Sequence, residues 1–178
     1  MVSLNALSPS RANDFVSCPL KFRFRTIDKL PEPPSEAAFK GTLVHSVLEG
    51  LFDLPAEERT SGAARSLIEP SFGELESKNT AEIAELFPDE PSRLKLFAQA
   101  GELVDRYFTL ELPDRLEPAG REQFVQTKLD NGLLLRGFID RVDVAPGGEV
   151  RLVDYKTGKE PKPQYLSLIH ISEPTRRY

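Results

Sequence analysis

Two strand-like runs near the end of the chain, joined by a short turn, constrain its fold more than any other feature. The runs are LLLRGFIDRVDV (133–144) and EVRLVDYKTG (149–158), and the turn between them contains Pro146, Gly147 and Gly148. Alternating apolar and polar residues are typical of a strand with one buried face, and this turn composition is typical of a hairpin. A third run, REQFVQTKL, precedes them from Arg121. Three strands are therefore predicted in this part of the chain.

The preceding residues have helical patterns. Ser8 and Pro9 form a helix start, with Ser8 as N-cap, and this helix is predicted to end near Ser17. A second short helix begins at Pro19. In GTLVHSVLEGLFD (41–53), the apolar residues fill one half of a helical wheel and His45 lies at its edge; they are Leu43, Val44, Val47, Leu48, Leu51 and Phe52. Residues 54–120 are predicted to form a helical insert, in segments separated by prolines. The fold class is thus α/β in the mixed α+β sense.

Composition excludes several classes of protein. No apolar run approaches the ~20 residues that cross a bilayer, and no export signal precedes the first helix, so a cytoplasmic location and no membrane partner are expected. The net charge of -5 argues against coating nucleic acid through bulk charge. The acidity belongs to residues 46–120, which carry 16 acidic and 7 basic side chains, so a local polyanion site elsewhere is possible.

The hairpin brings two acidic residues towards each other. Asp140 ends the apolar part of one strand, and alternation places Asp154 and Lys156 on one face of the next. Adjacent carboxylates repel each other unless a cation lies between them, and oxygen ligands suit Mg2+ or Mn2+. A nearby imidazole such as that of His45 favours Mn2+. From spacing alone, ordinary strand-edge and turn charges are an equally open interpretation.

Four stretches resemble the RecB-like branch of the PD-(D/E)xK nuclease superfamily. GFIDRVDV and VDYKTGK resemble its G-x-x-D-R-x-D and D-Y-K-T-G motifs, and Gly41, Thr42 and His45 resemble its metal-binding histidine motif. SPSRANDFVSCPLKFRFR is similar to the start of RecB-type exonucleases and of CRISPR-adaptation nucleases. The resemblance implies a restriction-endonuclease-like core, a mixed sheet flanked by helices.

The resemblance also implies roles for individual residues. His45, Asp140 and Asp154 would bind Mg2+ or Mn2+ together with the backbone carbonyl of Tyr155, and Lys156 would be the catalytic lysine. Glu122 matches a weaker acidic position of the family or is a solvated charge at the end of a strand.

Two further features near the start of the chain have open interpretations. Cys18, the single cysteine, is either a small apolar residue or the counterpart of an iron-sulfur ligand in relatives, and such a cluster is expected only in a full-length protein. Lys21, Arg23 and Arg25 alternate with phenylalanines and either contact DNA phosphates or are solvated.

The final residues fit no continuation of these motifs. LSLIHISEPTRRY (166–178) looks like a translated sequencing adapter, so His170 is discounted as a ligand. We expect residues 1–165 to form an incomplete nuclease domain whose carboxyl-terminal part is missing.

The function implied by the resemblance is a metal-dependent DNA exonuclease of the RecB family, acting in repair or recombination. Its expected partners are DNA and a helicase subunit or domain. The alternative is a non-catalytic module that binds DNA ends or assists a helicase. A general interaction domain is a third interpretation.

Overall fold

A computed structural model describes residues 6–158 of the chain. The elements, in chain order, are β1 (Ala6–Leu7), α1 (Pro9–Ser17), α2 (Pro19–Phe22), α3 (Glu36–Leu51), α4 (Ser61–Ser66), α5 (Ile68–Lys78), α6 (Thr80–Leu86), α7 (Glu90–Leu110), β2 (Gly120–Lys128), β3 (Leu134–Val144) and β4 (Val150–Val153). A four-stranded mixed sheet flanked by helices results, which confirms the predicted fold class. The proposed adapter sequence and His170 lie outside the described residues.

Helix α3 is the centre of the apolar core. It begins after Ser35, whose side chain accepts the N–H of Ala38. Its predicted apolar face is confirmed, because all six of its members are buried: Leu43, Val44, Val47, Leu48, Leu51 and Phe52. The other core side chains come from α4–α7 and include Ile68, Phe72, Ile83, Phe87, Leu96 and Val104. Burial against this insert fixes the face that α3 turns towards the sheet.

Pro88 separates two segments of the insert, α6 and α7, as predicted, whereas Pro70 and Pro91 lie in the first turns of helices. The break before α5 falls at Leu67, and Pro70 lies in the first turn of that helix, where a missing N–H breaks no helical hydrogen bond. Pro91 is the second residue of α7, whose N-cap Asp89 forms a capping box with Ser92.

The two predicted amino-terminal helices are confirmed. Ser8 caps α1 by accepting the N–H of Arg11, and α1 ends at Ser17. After α2, residues Arg23–Ile27 continue as a π-helical turn. Strand β1 was not predicted, because two residues are too few to show any periodicity. None of the helices within residues 6–158 is long and apolar enough to cross a membrane.

Strand β3 is paired with every other strand of the sheet. Strand β2 pairs antiparallel with most of β3, from Leu134 to Val142 of β3. Strand β1 pairs in parallel at Leu134 and Leu135, and β4 pairs antiparallel from Arg141 to Val144. Since β2 occupies one edge of β3, the two short strands share the other edge. Among residues 6–158, therefore, no strand pairs with residues 136–140 on that edge.

The predicted hairpin is confirmed, but β4 is shorter than predicted. Gly148 adopts a φ of 89° in the turn, a value that glycine tolerates without strain. The last rung of the ladder joins Arg141 to Val153, so the strand predicted to run to residue 158 ends at residue 153. The chain leaves the ladder there because the peptide groups of Tyr155 bond to side chains instead.

Candidate metal centre

Three side chains from three elements lie close together around Asp140 of β3. His45 lies near the middle of α3, Glu122 lies in β2 and Asp140 lies in β3. Each offers one ligand atom, and the three atoms all lie within 4.8 Å of one another. The Nδ1 atom of His45 is 3.7 Å from Oδ2 of Asp140. All three residues are partly buried, so the cluster is shielded but accessible.

The backbone of Tyr155 closes the cluster on the side of β4. Its N–H donates to Oδ2 of Asp140 at 2.5 Å. Its carbonyl oxygen lies 2.8 Å from Nε2 of His45. Because a carbonyl can only accept, Nε2 carries the proton in this contact. In the neutral ring Nδ1 then has a free lone pair, and this is the nitrogen nearer to Asp140.

The cluster has an excess of negative charge. Burial raises the pKa of Glu122, and the charges of Asp140 and Glu49 raise it further, while His45 lowers it. The backbone of Glu122 is also unusual, since its φ is 43° and the ladder lacks a rung between this residue and Asp140. One imidazole nitrogen and two carboxylates suit a divalent cation, which would relieve the repulsion. The donor set therefore fits the metal that the motifs imply.

Asp154 and Lys156 stand apart from this cluster. Their side chains are 64% and 74% exposed, and Nζ of Lys156 donates to Oδ1 of Asp154 at 2.7 Å. The register of the hairpin does place residue 154 opposite Asp140, one step beyond the last paired rung. The structure thus brings Asp154 close in register without including its carboxylate in the three-residue group.

Arg141 forms a buried polar network that sequence reasoning missed. Its side chain is fully buried, and Nη1 donates to the hydroxyls of Tyr107 at 3.0 Å and of Tyr155 at 2.9 Å. Burial alone would lower the pKa of Arg141, but Glu111 and Asp143 pair with the same guanidinium and the pKa is raised. An arginine between two aspartates in an otherwise apolar strand was the available signal, since a buried charge requires partners.

The other predicted residues lie in the amino-terminal helices. Cys18 is a free, exposed cysteine. Lys21 and Arg25 both pair with the nearly buried Asp14, and Arg23 pairs with Asp28. The three basic side chains remain partly exposed, so they are neutralised locally but still reach solvent.

A mixed sheet flanked by helices, with a histidine–carboxylate cluster beside its central strand, defines a restriction-endonuclease-like fold with a candidate metal centre. The chain belongs to the PD-(D/E)XK nuclease superfamily, whose family model matches residues 6–170. Members of this superfamily are generally nucleases and use divalent metals.

The chain is also similar to the gene 69 protein of Mycobacterium phage D29. The two are 26% identical over 183 residues, a range that covers 90% of this chain. The chain spans about 65% of the length of that relative.

Proposed function

We propose that the chain is the metal-dependent nuclease domain of a RecB-like DNA exonuclease that acts in repair or recombination with Mg2+ or Mn2+. The observation that carries this proposal is the cluster of His45, Glu122 and Asp140, closed by the backbone of Tyr155. In metal-assisted hydrolysis of a phosphodiester, a cation activates the attacking water and a nearby lysine stabilises the developing charge, and Lys156 follows Tyr155 directly.

In this proposal, His45, Asp140 and Asp154 hold the cation together with the backbone carbonyl of Tyr155, and Glu122 is a further acid. The carbonyl oxygen has one lone pair for the cation and one that accepts from Nε2 of His45. The cation would lower the pKa of a bound water and polarise the phosphate. Lys156 would stabilise the charge that develops on the phosphate and orient the attacking water. In this role, the ammonium of Lys156 leaves the carboxylate of Asp154 and contacts the substrate instead. The exposure of the Lys156 side chain at the surface permits this movement.

DNA is the proposed partner, and a helicase subunit or domain is a second one. Lys21, Arg23 and Arg25 would contact DNA phosphates after exchanging their acidic partners for the nucleic acid. Cys18 would be an iron-sulfur ligand only in a longer protein that supplies further cysteines. Its exposure is compatible with that role.

The proposal is tested by incubating the chain with end-labelled linear DNA and either Mn2+ or Mg2+. An exonuclease releases mononucleotides from an end, whereas an endonuclease produces internal fragments and also cuts circular DNA. Asp140→Asn is expected to abolish cleavage, and Asp130→Asn, in an exposed turn, is the matched control. Cleavage that persists in Asp140→Asn, or that needs no divalent cation, would contradict the proposal.

One observation favours a second candidate, a non-catalytic module that binds DNA ends or assists a helicase. Asp154 and Lys156 neutralise each other at the surface, outside the cluster. Such a module would bind DNA ends without turnover at any divalent cation concentration. Measuring end binding and cleavage in the same titration distinguishes the two candidates.

A further inference from the structure

The side chain and the backbone of Tyr155 form hydrogen bonds to different residues. The backbone lies at the candidate metal centre, where its N–H and carbonyl contact Asp140 and His45. The hydroxyl of its side chain accepts from the buried Arg141, and its ring packs edge-on against the ring of His45, with centroids 5.8 Å apart. The ring also packs edge-on against Tyr107, with centroids 5.8 Å apart. One residue therefore connects the centre to the interior network.

Arg141 itself is held rigidly. Its guanidinium pairs with Glu111 at the end of α7 and with Asp143 in β3, and it lies over the ring of Phe52, 5.4 Å from the centroid. A fully buried guanidinium with partners on several sides cannot turn without exposing an unpaired charge. It therefore offers a fixed anchor for any side chain that bonds to it.

Within residues 6–158, no strand pairing holds the chain in position at Tyr155. The ladder between β3 and β4 stops at the rung from Arg141 to Val153, two residues before Tyr155. Beyond that rung, the position of the chain at the centre depends on side-chain contacts, and the contacts at Tyr155 come from His45, Asp140 and Arg141.

We infer that Arg141 is a positioning residue for the metal centre and acts through Tyr155. By fixing the side chain of Tyr155, it fixes the carbonyl that accepts the hydrogen bond from Nε2–H of His45, and this keeps Nδ1 free to bind a cation. A ligand imidazole whose other nitrogen donates to a carbonyl is held in one tautomer and one orientation. This inference rests on the proposed metal centre and adds to it the residue pair that orients His45.

The chain offers a matched pair of variants for the test. Tyr155→Phe and Tyr107→Phe each remove one hydroxyl that accepts from Nη1 of Arg141. The backbone contacts to the cluster given above belong to Tyr155, while Tyr107 lies within α7. Both variants are expected to lower the Tm by similar amounts, so a difference between them in metal binding reports positioning and not general destabilisation.

Mn2+ binding is measured by electron paramagnetic resonance and calorimetry on the complete chain. Tyr155→Phe is expected to weaken Mn2+ binding about tenfold, the lower end for loss of an outer-shell partner, while Tyr107→Phe stays within about twofold of wild type. Equal affinities in the two variants would overturn the inference. Absence of Mn2+ binding by the wild type, as in Asp140→Asn, would overturn the proposed metal centre as well.

A measurement on the metal-free protein distinguishes failure of the inference about Arg141 from failure of the proposed metal centre. The chain has two histidines, so nitrogen-15 NMR with His170→Gln as background isolates the ring of His45. We expect the Nε2–H tautomer to dominate in the wild type and in Tyr107→Phe, and the Nδ1–H share to rise in Tyr155→Phe. An unchanged tautomer in Tyr155→Phe would refute the inference even where Mn2+ binds normally.

Discussion

The carboxylate of Asp140 accepts the backbone N–H of Tyr155 at the point where β3 and β4 stop pairing. The side chain thus takes the place of a rung of the sheet and at the same time belongs to the candidate metal centre. Asp140→Asn keeps an oxygen for the N–H but loses the charge. We expect Mn2+ at about 100 times its Kd to stabilise the wild type by ~2.7 kcal/mol and the variant by much less.

This difference is measured as the shift in Tm on adding Mn2+, with Asp130→Asn in parallel. Equal shifts in the two variants would show that the cation binds elsewhere.

Lys156→Ala is expected to slow DNA cleavage without weakening Mn2+ binding. The side chain is 74% exposed, and its ion pair within residues 6–158 is with the exposed Asp154, so its loss should change the free energy of unfolding by no more than about 0.5 kcal/mol. Mn2+ affinity should stay near that of the wild type, whereas cleavage of linear DNA should fall about 100-fold or more. Lys128→Ala, in β2, serves as the control in the same cleavage assay. A variant that still cuts DNA at the wild-type rate would remove Lys156 from the mechanism.

Glu122→Gln is expected to stabilise the metal-free protein. The folded state raises the pKa of this carboxyl, so ionised Glu122 is less favourable in the folded chain than in the unfolded one. Its contribution is favourable at low pH and is lost as the pH rises through the raised pKa. At neutral pH the variant should have the higher Tm without metal and the smaller gain in Tm with Mn2+.

Thermal unfolding at pH 7.5, with and without Mn2+, checks this expectation against the exposed-site variant Glu57→Gln. A lower Tm for metal-free Glu122→Gln would mean that the carboxylate has a stabilising partner.

Glu111→Gln is expected to reduce the loss of thermal stability that occurs as the pH falls. Burial alone would raise the pKa of Glu111, but the hydrogen bond and charge of Arg141 outweigh it and place the pKa below its ordinary value of 4.5. A carboxyl with a lowered folded pKa stabilises the fold above its unfolded pKa, and this contribution is lost as the pH falls through the lower value. Between pH 6 and pH 3 the Tm of the wild type should therefore fall more steeply than that of the variant. Parallel profiles would rule out this linkage.

Leu43→Ala tests how strongly the sheet depends on the helical core. Leu43 is fully buried in α3, two residues before His45, whereas Leu94 in α7 is 58% exposed. The buried truncation should cost about 2–5 kcal/mol of unfolding free energy, because it leaves a cavity as well as losing apolar burial. Leu94→Ala should change stability by less than about 1 kcal/mol. Denaturant titration of both variants measures the contrast, and similar losses would contradict the assignment of the core.

Local sequence patterns predicted most of the fold. The features that they did not predict depend on contacts between residues far apart in the chain. The apolar face of α3 and the Pro146–Gly148 turn follow from spacing within a few residues, so both were predictable. The end of β4 was not, because contacts with residues 15 and 110 positions away draw Tyr155 off the ladder. The same limit applies to the site: Glu122 joins the cluster through cross-strand register, and the partners of Arg141 come from α7 and from beyond β4.

The distance along the chain between His45 and Tyr155 has a consequence for how the protein folds. The contacts within α3–α7 and within the β2–β4 meander are close in sequence and can form early, whereas the contact between these two residues closes a loop of 110 positions. Closing so long a loop is entropically unfavourable until both halves are ordered. The centre therefore assembles only when both halves have formed and docked, and partly folded chains lack the geometry needed to hold the cation.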